Sequence, residues 1–150
     1  MTTVFDVPPD PLLAKVAGKL QADPKFAPPD WAKAVKTGIH REKAPYNPNW
    51  WPTRVASLLR RVYVDGPVGV IHLAAKYGGT RDRGSAPNRA RMGSRSIVRV
   101  ALKQLEAAGY VQAIKGKGRV VMGPGRKILD NSAHEVAQAL EATIPALKKY

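Results

Sequence analysis

The sequence predicts a mostly α-helical winged helix, that is, a helix-turn-helix variant with a small two-stranded β wing, plus extra N- and C-terminal helices. Three observations carry this expectation. Apolar residues recur at helical spacing in successive segments. The last strong helix before the C-terminal one is followed by two short β-prone runs around a Lys-Gly-Lys-Gly turn. Basic residues crowd the same part of a chain whose formal charge is +14.

The elements follow in order. Asp10-Pro11 reads as a helix start, because Asp accepts from orphan N–H groups and Pro next to it lacks one to satisfy. Leu12, Leu13, Val16, Ala17 and Leu20 then mark the buried face, and Asp23-Pro24 the end. Pro29-Asp30-Trp31 suggests a second, shorter helix burying Trp31 and Val35. Residues 36–49 hold Pro45 and Pro48 among basic groups and read as an extended, exposed connection. The strongest helix covers residues 50–64, with Val55, Leu58, Leu59 and Val62 on its apolar face and Arg54, Arg60 and Arg61 on or beside its back. Gly66-Pro67 breaks it. A further helix over residues 68–77 offers Val70, Ile71, Ala74 and Ala75, and Gly78-Gly79 stops it.

Residues 79–94 then read as a long basic loop. Arg81, Arg83, Arg89 and Arg91 stand there among glycines, with one acid and nothing periodic to bury. Structureless segments of this length are uncommon inside compact domains and are usually functional or disordered. The next helix covers residues 95–108, with Ser94 as its cap. Ile97, Val98, Ala101, Leu102 and Leu105 face the core, while Arg95, Arg99 and Lys103 fall at i, i+4 and i+8 and form one basic stripe. Residues 110–114 and 119–122 are the wing strands around Lys115 and Lys117, with Arg119 at the start of the return strand. Gly123-Pro124-Gly125 reads as a spacer before a final helix lined by Ile128, Leu129, Ala133, Val136, Ala137 and Leu140, which Pro145 ends or bends.

Composition sets the class. With 150 residues and 44% hydrophobic content, the chain is expected to form one domain over residues 1–150 with a real core. Cysteine is absent, so a disulfide scaffold and a Cys-ligated zinc site are excluded. His40, His72 and His134 are scattered singly, and no cofactor or metal is expected. No apolar run approaches the roughly 18 residues of a membrane span, and the N-terminal residues lack the basic start and apolar stretch of a signal peptide. The expectation is a cytoplasmic protein with no membrane partner. Twenty-five Lys and Arg stand against eleven Asp and Glu, which points to a polyanion as partner.

The positive charge is concentrated. Between Arg54 and Lys103 lie eleven bases and two acids, and nine of the bases are arginine, whose planar fork suits bidentate phosphate contacts and stacking on bases. From Asp130 to Tyr150 the balance is two lysines, Lys148 and Lys149, against three acids, so the final helix reads as packing or solvent face. A short turn docks two helices rigidly on a duplex. A long arginine-rich loop instead suits an irregular surface such as folded RNA.

At this point a resemblance becomes specific. The run Trp50-Trp51-Pro52-Thr53-Arg54-Val55-Ala56-Ser57-Leu58-Leu59-Arg60-Arg61-Val62-Tyr63 resembles the signature helix of the S19e family of small-subunit ribosomal proteins of archaea and eukaryotes. Gly66-Pro67-Val68-Gly69-Val70, Tyr77-Gly78-Gly79, Arg83-Gly84, Pro87-Asn88, Gln104-Leu105-Glu106 with Gly109 and Val111, and Gly118-Arg119 match in order, from about Pro11 to Leu140. Pro52 departs from a common aromatic residue, and Arg89 from a common His. The segment after Gly66 resembles archaeal members more than eukaryotic ones. The resemblance implies a winged-helix protein of the small-subunit head that contacts ribosomal RNA and neighbouring ribosomal proteins, is ribosome-bound in the cytoplasm, takes no small-molecule substrate, and is needed for subunit maturation in eukaryotes.

The candidate RNA-binding residues are therefore Arg54, Arg60, Arg61, Arg81, Arg83, Arg89, Arg91, Arg95, Arg99, Lys103, Lys115, Lys117 and Arg119. Trp50, Trp51 and Tyr77 are candidates for base stacking, although tryptophan is usually largely buried and at least one of the pair belongs in the core. A winged-helix DNA-binding transcription regulator is the alternative; it would place Arg95, Arg99 and Lys103 in a major groove. An RNA-modifying enzyme is a third class, but no catalytic constellation is visible: Gly116-x-Gly118 lacks both the third glycine and the strand-to-helix setting of a nucleotide loop.

Overall fold

The computed structural model describes residues 2–144. Among them the order is α1 (Pro9–Gln21), α2 (Trp50–Asp65), α3 (Val70–Lys76), β1 (Gly79–Arg81), β2 (Arg89–Arg91), α4 (Arg95–Ala107), β3 (Val111–Ile114), β4 (Gly118–Val121) and α5 (Gly123–Thr143). The architecture is a mostly helical winged helix: α2, α3 and α4 form the helical trio, and the β3–β4 hairpin is the wing. Pro145, expected to end the last helix, and the lysines Lys148 and Lys149 lie outside the described residues.

Each helix buries one stripe. From α2 come Val55, Leu58, Leu59 and Val62; from α4, Ile97, Val98, Ala101, Leu102 and Leu105. These close a common core with Leu12, Val16 and Leu20 of α1 and Leu129, Ala133 and Val136 of α5. α1 packs on both α2 and α5, and α4 packs on α2 and α3. Ser94 caps α4 by accepting from the Ile97 N–H at 3.4 Å. Asp10 does not cap α1. Pro8 holds the N-cap position, and Asp10 sits in the first turn, where a negative charge favours the helix dipole.

The wing is docked rather than free. Val68 and Arg119 exchange backbone hydrogen bonds of 3.1 and 2.9 Å, which ties β4 to the segment before α3. Gly118 makes this approach with φ +108°; a Cβ there would meet the Val68 carbonyl oxygen at 2.6 Å.

Two local expectations are corrected, and a third, the exposed connection over residues 36–49, holds and gains a role. Residues 79–94 are not a structureless loop: β1 and β2 pair antiparallel, Gly79 with Arg91, Thr80 with Ala90 and Arg81 with Arg89. Gly93 sits where backbones converge, since a Cβ there would meet the Tyr77 carbonyl oxygen at 2.7 Å. Residues 36–49 do not merely span a gap. Gly38 forms an antiparallel bridge with Gly93, and Ser94 N–H donates to the Thr37 carbonyl at 2.9 Å, so this segment straps the base of the hairpin. Gly123-Pro124-Gly125 is the first turn of α5, with Pro124 where a missing N–H costs nothing, and buried Gly125 lies close against Tyr110.

Candidate nucleic-acid interface

The interface begins with the period of a strand. Side chains two residues apart share a face, and paired residues stand opposite one another on that face. The register therefore puts Arg81, Arg89 and Arg91 together on one face of the β1–β2 hairpin, with Gly79 opposite Arg91 contributing no side chain. Arg81 and Arg89 are directly paired, a like-charge juxtaposition that destabilises an isolated strand pair. Every residue from 80 to 92 except Ala86 is exposed. At the turn, Arg83 N–H donates to Asn88 Oδ1 at 3.4 Å and Gly84 N–H to Asp82 Oδ1 at 2.9 Å, so Asp82 shapes the turn.

The chain then enters α4 through Gly93 and Ser94. Arg95, Arg99 and Lys103 are exposed along one line of that helix, opposite its buried stripe. None of the six cations on these two surfaces is in an ion pair among the described residues. Lys115 and Lys117 are exposed at the wing tip. The fold thus brings the hairpin and α4 cations into one continuous stretch of chain.

The remaining candidates are placed differently. Arg119 is half-buried and its Nε donates to Glu106 Oε1 of α4, so its charge joins the wing to the helix. Arg54, Arg60 and Arg61 were expected on an open helix back, yet all three are half-buried. The Arg54 guanidinium lies 4.4 Å from the centre of the Tyr77 ring. Burial pushes Arg54 down from its ordinary value; Tyr77 opposes that shift and Arg41 adds to it. Burial likewise raises the Tyr77 phenol, against the hydrogen bond it shares with Ser57 at 2.6 Å.

Base stacking by Trp50 or Trp51 is corrected, because both are core residues at 9% and 1% exposure. Trp50 Nε1–H donates to the Ala32 carbonyl at 3.2 Å. Trp51 Nε1–H donates to Gln104 Oε1 at 3.0 Å, and Gln104 Nε2–H to the Ala27 carbonyl at 2.8 Å. The two indoles meet edge to face at 5.4 Å, and Trp31, expected to be buried, instead lies 37% exposed against the edge of Trp51. Tyr77 has Arg54 on its ring and its hydroxyl in use, which makes it a packing residue.

Sequence reasoning missed the cleft beside this interface. It measures about 850 Å³ and lies between the strap, α2, Tyr77 and the start of the hairpin. Its signal was the crowding of Arg41, Lys43 and Tyr46 around Pro45, just ahead of Pro48. Among the described residues no group of three or more metal-ligating side chains is found, and no helix is long and apolar enough to cross a membrane.

Comparison with known proteins gives a consistent picture. The family model described as ribosomal protein S19e matches residues 3–139. A small ribosomal subunit protein eS19 of Thermoplasma acidophilum is 43% identical over 150 residues, covering 100% of this chain and 99% of the relative. One from Haloarcula marismortui is 42% identical over 154 residues with the same coverage. A related protein of Ascaris suum is 41% identical over 138 residues, 91% of this chain and 93% of its own length.

Proposed function

The chain belongs to the ribosomal protein S19e family, and from that premise we propose that it is a structural constituent of the small ribosomal subunit head that binds ribosomal RNA and supports subunit assembly. The observation that carries this reading is the unneutralised run of cations from the hairpin into α4. Arg81, Arg89 and Arg91 share one strand face, Arg95, Arg99 and Lys103 share one helix face, and neither set has an acidic partner among the described residues. Like charges gathered this closely favour a polyanion, because each phosphate neutralised releases condensed counterions. Lys115 and Lys117 add two more exposed cations at the wing tip. The partners are ribosomal RNA and neighbouring small-subunit proteins, the place is the cytoplasmic ribosome, and no catalytic step is involved.

A duplex-DNA regulator is the weaker reading. In a helix-turn-helix the two helices are joined by a short turn, whereas here residues 77–94 lie between α3 and α4 and carry an exposed hairpin of their own. Replacing Arg81, Arg83, Arg89 and Arg91 together by Ala tests the proposal. The variant is expected to melt no lower than the unsubstituted chain and to be lost from small subunits after a high-salt wash that leaves the unsubstituted chain bound. Retention at the unsubstituted level would overturn the role of the hairpin.

A further inference from the structure

Beside the cationic surface lies a concavity that the phosphate contacts do not use. At about 850 Å³ the cleft falls within the range of roughly 300–1,000 Å³ typical of small-ligand sites. Beside the carboxylates of Glu42 and Asp82, its wall combines three kinds of group that suit such a ligand. Arg54 and Arg41 bring positive charge, and Arg54 is in no ion pair among the described residues despite being half-buried. Thr53 and Thr37 bring hydroxyls. Tyr46 stands wholly in solvent on the strap, a large aromatic ring with nothing covering either face.

An aromatic ring free on both faces, a guanidinium in no ion pair and hydroxyls together match a nucleotide: a π-face, an anion, and base-edge or ribose donors and acceptors. A duplex keeps its bases stacked and offers none of these singly. Single-stranded loops and bulges do, and proteins read them by stacking bases on aromatic side chains. We propose that this cleft captures one unstacked nucleotide of single-stranded RNA, with its base on Tyr46 and its phosphate on Arg54 and Arg41. The inference rests on the RNA-binding reading above and adds to it a site that distinguishes an unpaired nucleotide from a helix.

The test uses the isotope-labelled full chain, with amide resonances followed by NMR during three separate titrations: octauridylate, a fully paired RNA duplex, and uridine monophosphate. Octauridylate is expected to shift the signals of Tyr46 and Thr53, whereas the duplex shifts those of the β1–β2 hairpin and of Arg95, Arg99 and Lys103 and leaves Tyr46 and Thr53 unmoved. Tyr46→Ala, at a solvent-exposed position, is expected to weaken octauridylate binding by about 5- to 100-fold and to leave duplex affinity unchanged. If octauridylate moves only the hairpin and α4 signals, the cleft proposal is overturned while the RNA-binding reading stands. If uridine monophosphate binds the cleft as tightly as octauridylate, the occupant is a free nucleotide and the assignment to RNA is overturned. Absence of binding to either RNA at low salt would overturn both readings.

Discussion

Arg81 and Arg89 face one another across the β1–β2 pair, so two guanidinium-bearing side chains share one edge of a three-residue strand pairing. Directly opposed like charges cost a strand pair about 0.2–1 kcal/mol, a cost offset only when an anion binds between them. Arg89→Thr removes the repulsion and adds a residue with higher strand propensity. It is expected to raise stability by up to about 1 kcal/mol, read as a higher denaturation midpoint. The same variant is expected to make the logarithmic salt dependence of RNA binding shallower by about 0.7–0.9. A change in stability without one in salt slope would remove Arg89 from the interface.

Arg119 should behave as a structural residue. Its Nε contact with Glu106 links the wing to α4, and both side chains are less than a third exposed. Arg119→Ala leaves Glu106 half-buried without its partner and is expected to lower stability by about 1–3 kcal/mol. Thermal melts should show the loss, while the salt slope of RNA binding stays that of the unsubstituted chain. A slope reduced by one contact with no change in melting would assign Arg119 to RNA instead.

Trp51 is the joint between the N-terminal arm, α2 and α4. Its indole N–H meets Gln104, and the Gln104 amide reaches the Ala27 carbonyl. Trp51→Ala opens a large cavity and leaves Gln104 Oε1 without its donor, so a loss of about 3–5 kcal/mol is expected in chemical denaturation. Trp51→Phe keeps most of the volume and is expected to cost clearly less. Equal losses in the two variants would mean that filling the core at this position contributes little.

The clasp between α1 and α5 carries a pH signature. Lys19 Nζ reaches Glu135 at 2.8 Å and Ser132 Oγ at 3.0 Å, and Lys15 lies 3.5 Å from the same carboxylate. The Lys19 hydrogen bond holds Glu135 below its ordinary value of 4.5. A carboxylate depressed in the folded state contributes stability above its unfolded value and loses it as pH falls through the folded one. The stability difference between the unsubstituted chain and Glu135→Gln should therefore be present at neutral pH and shrink as the pH falls below 4.5 through the depressed value. A difference that grows on acidification would contradict this ion-pair account.

The helices and the wing were readable because their apolar residues repeat with the right period: the stripes of α2 and α4 are buried as spaced, and Ser94 caps as placed. The β1–β2 hairpin was not. Arg89-Ala90-Arg91 has no apolar alternation, and what holds it lies elsewhere in the chain, in Gly93 beneath Tyr77 and in Gly38 of the strap. The start of α5 was hidden because two glycines around a proline look like a spacer until Gly125 is seen packed against Tyr110. Among the site residues, helical spacing correctly exposed Arg95, Arg99 and Lys103. Spacing carries no information about partners from other elements, so it missed Tyr77 beneath Arg54, Glu106 beside Arg119, and the strap across the cleft from Thr53 and Arg54.

The most direct test of the whole account is a protein–RNA crosslinking map of intact small ribosomal subunits carrying this chain. RNA adducts are predicted on the peptides that contain Arg81 to Arg91 and Arg95 to Lys103, with the outer faces of α1 and α5 unmodified. Adducts confined to α1 and α5, with the hairpin and the α4 stripe clean, would contradict it.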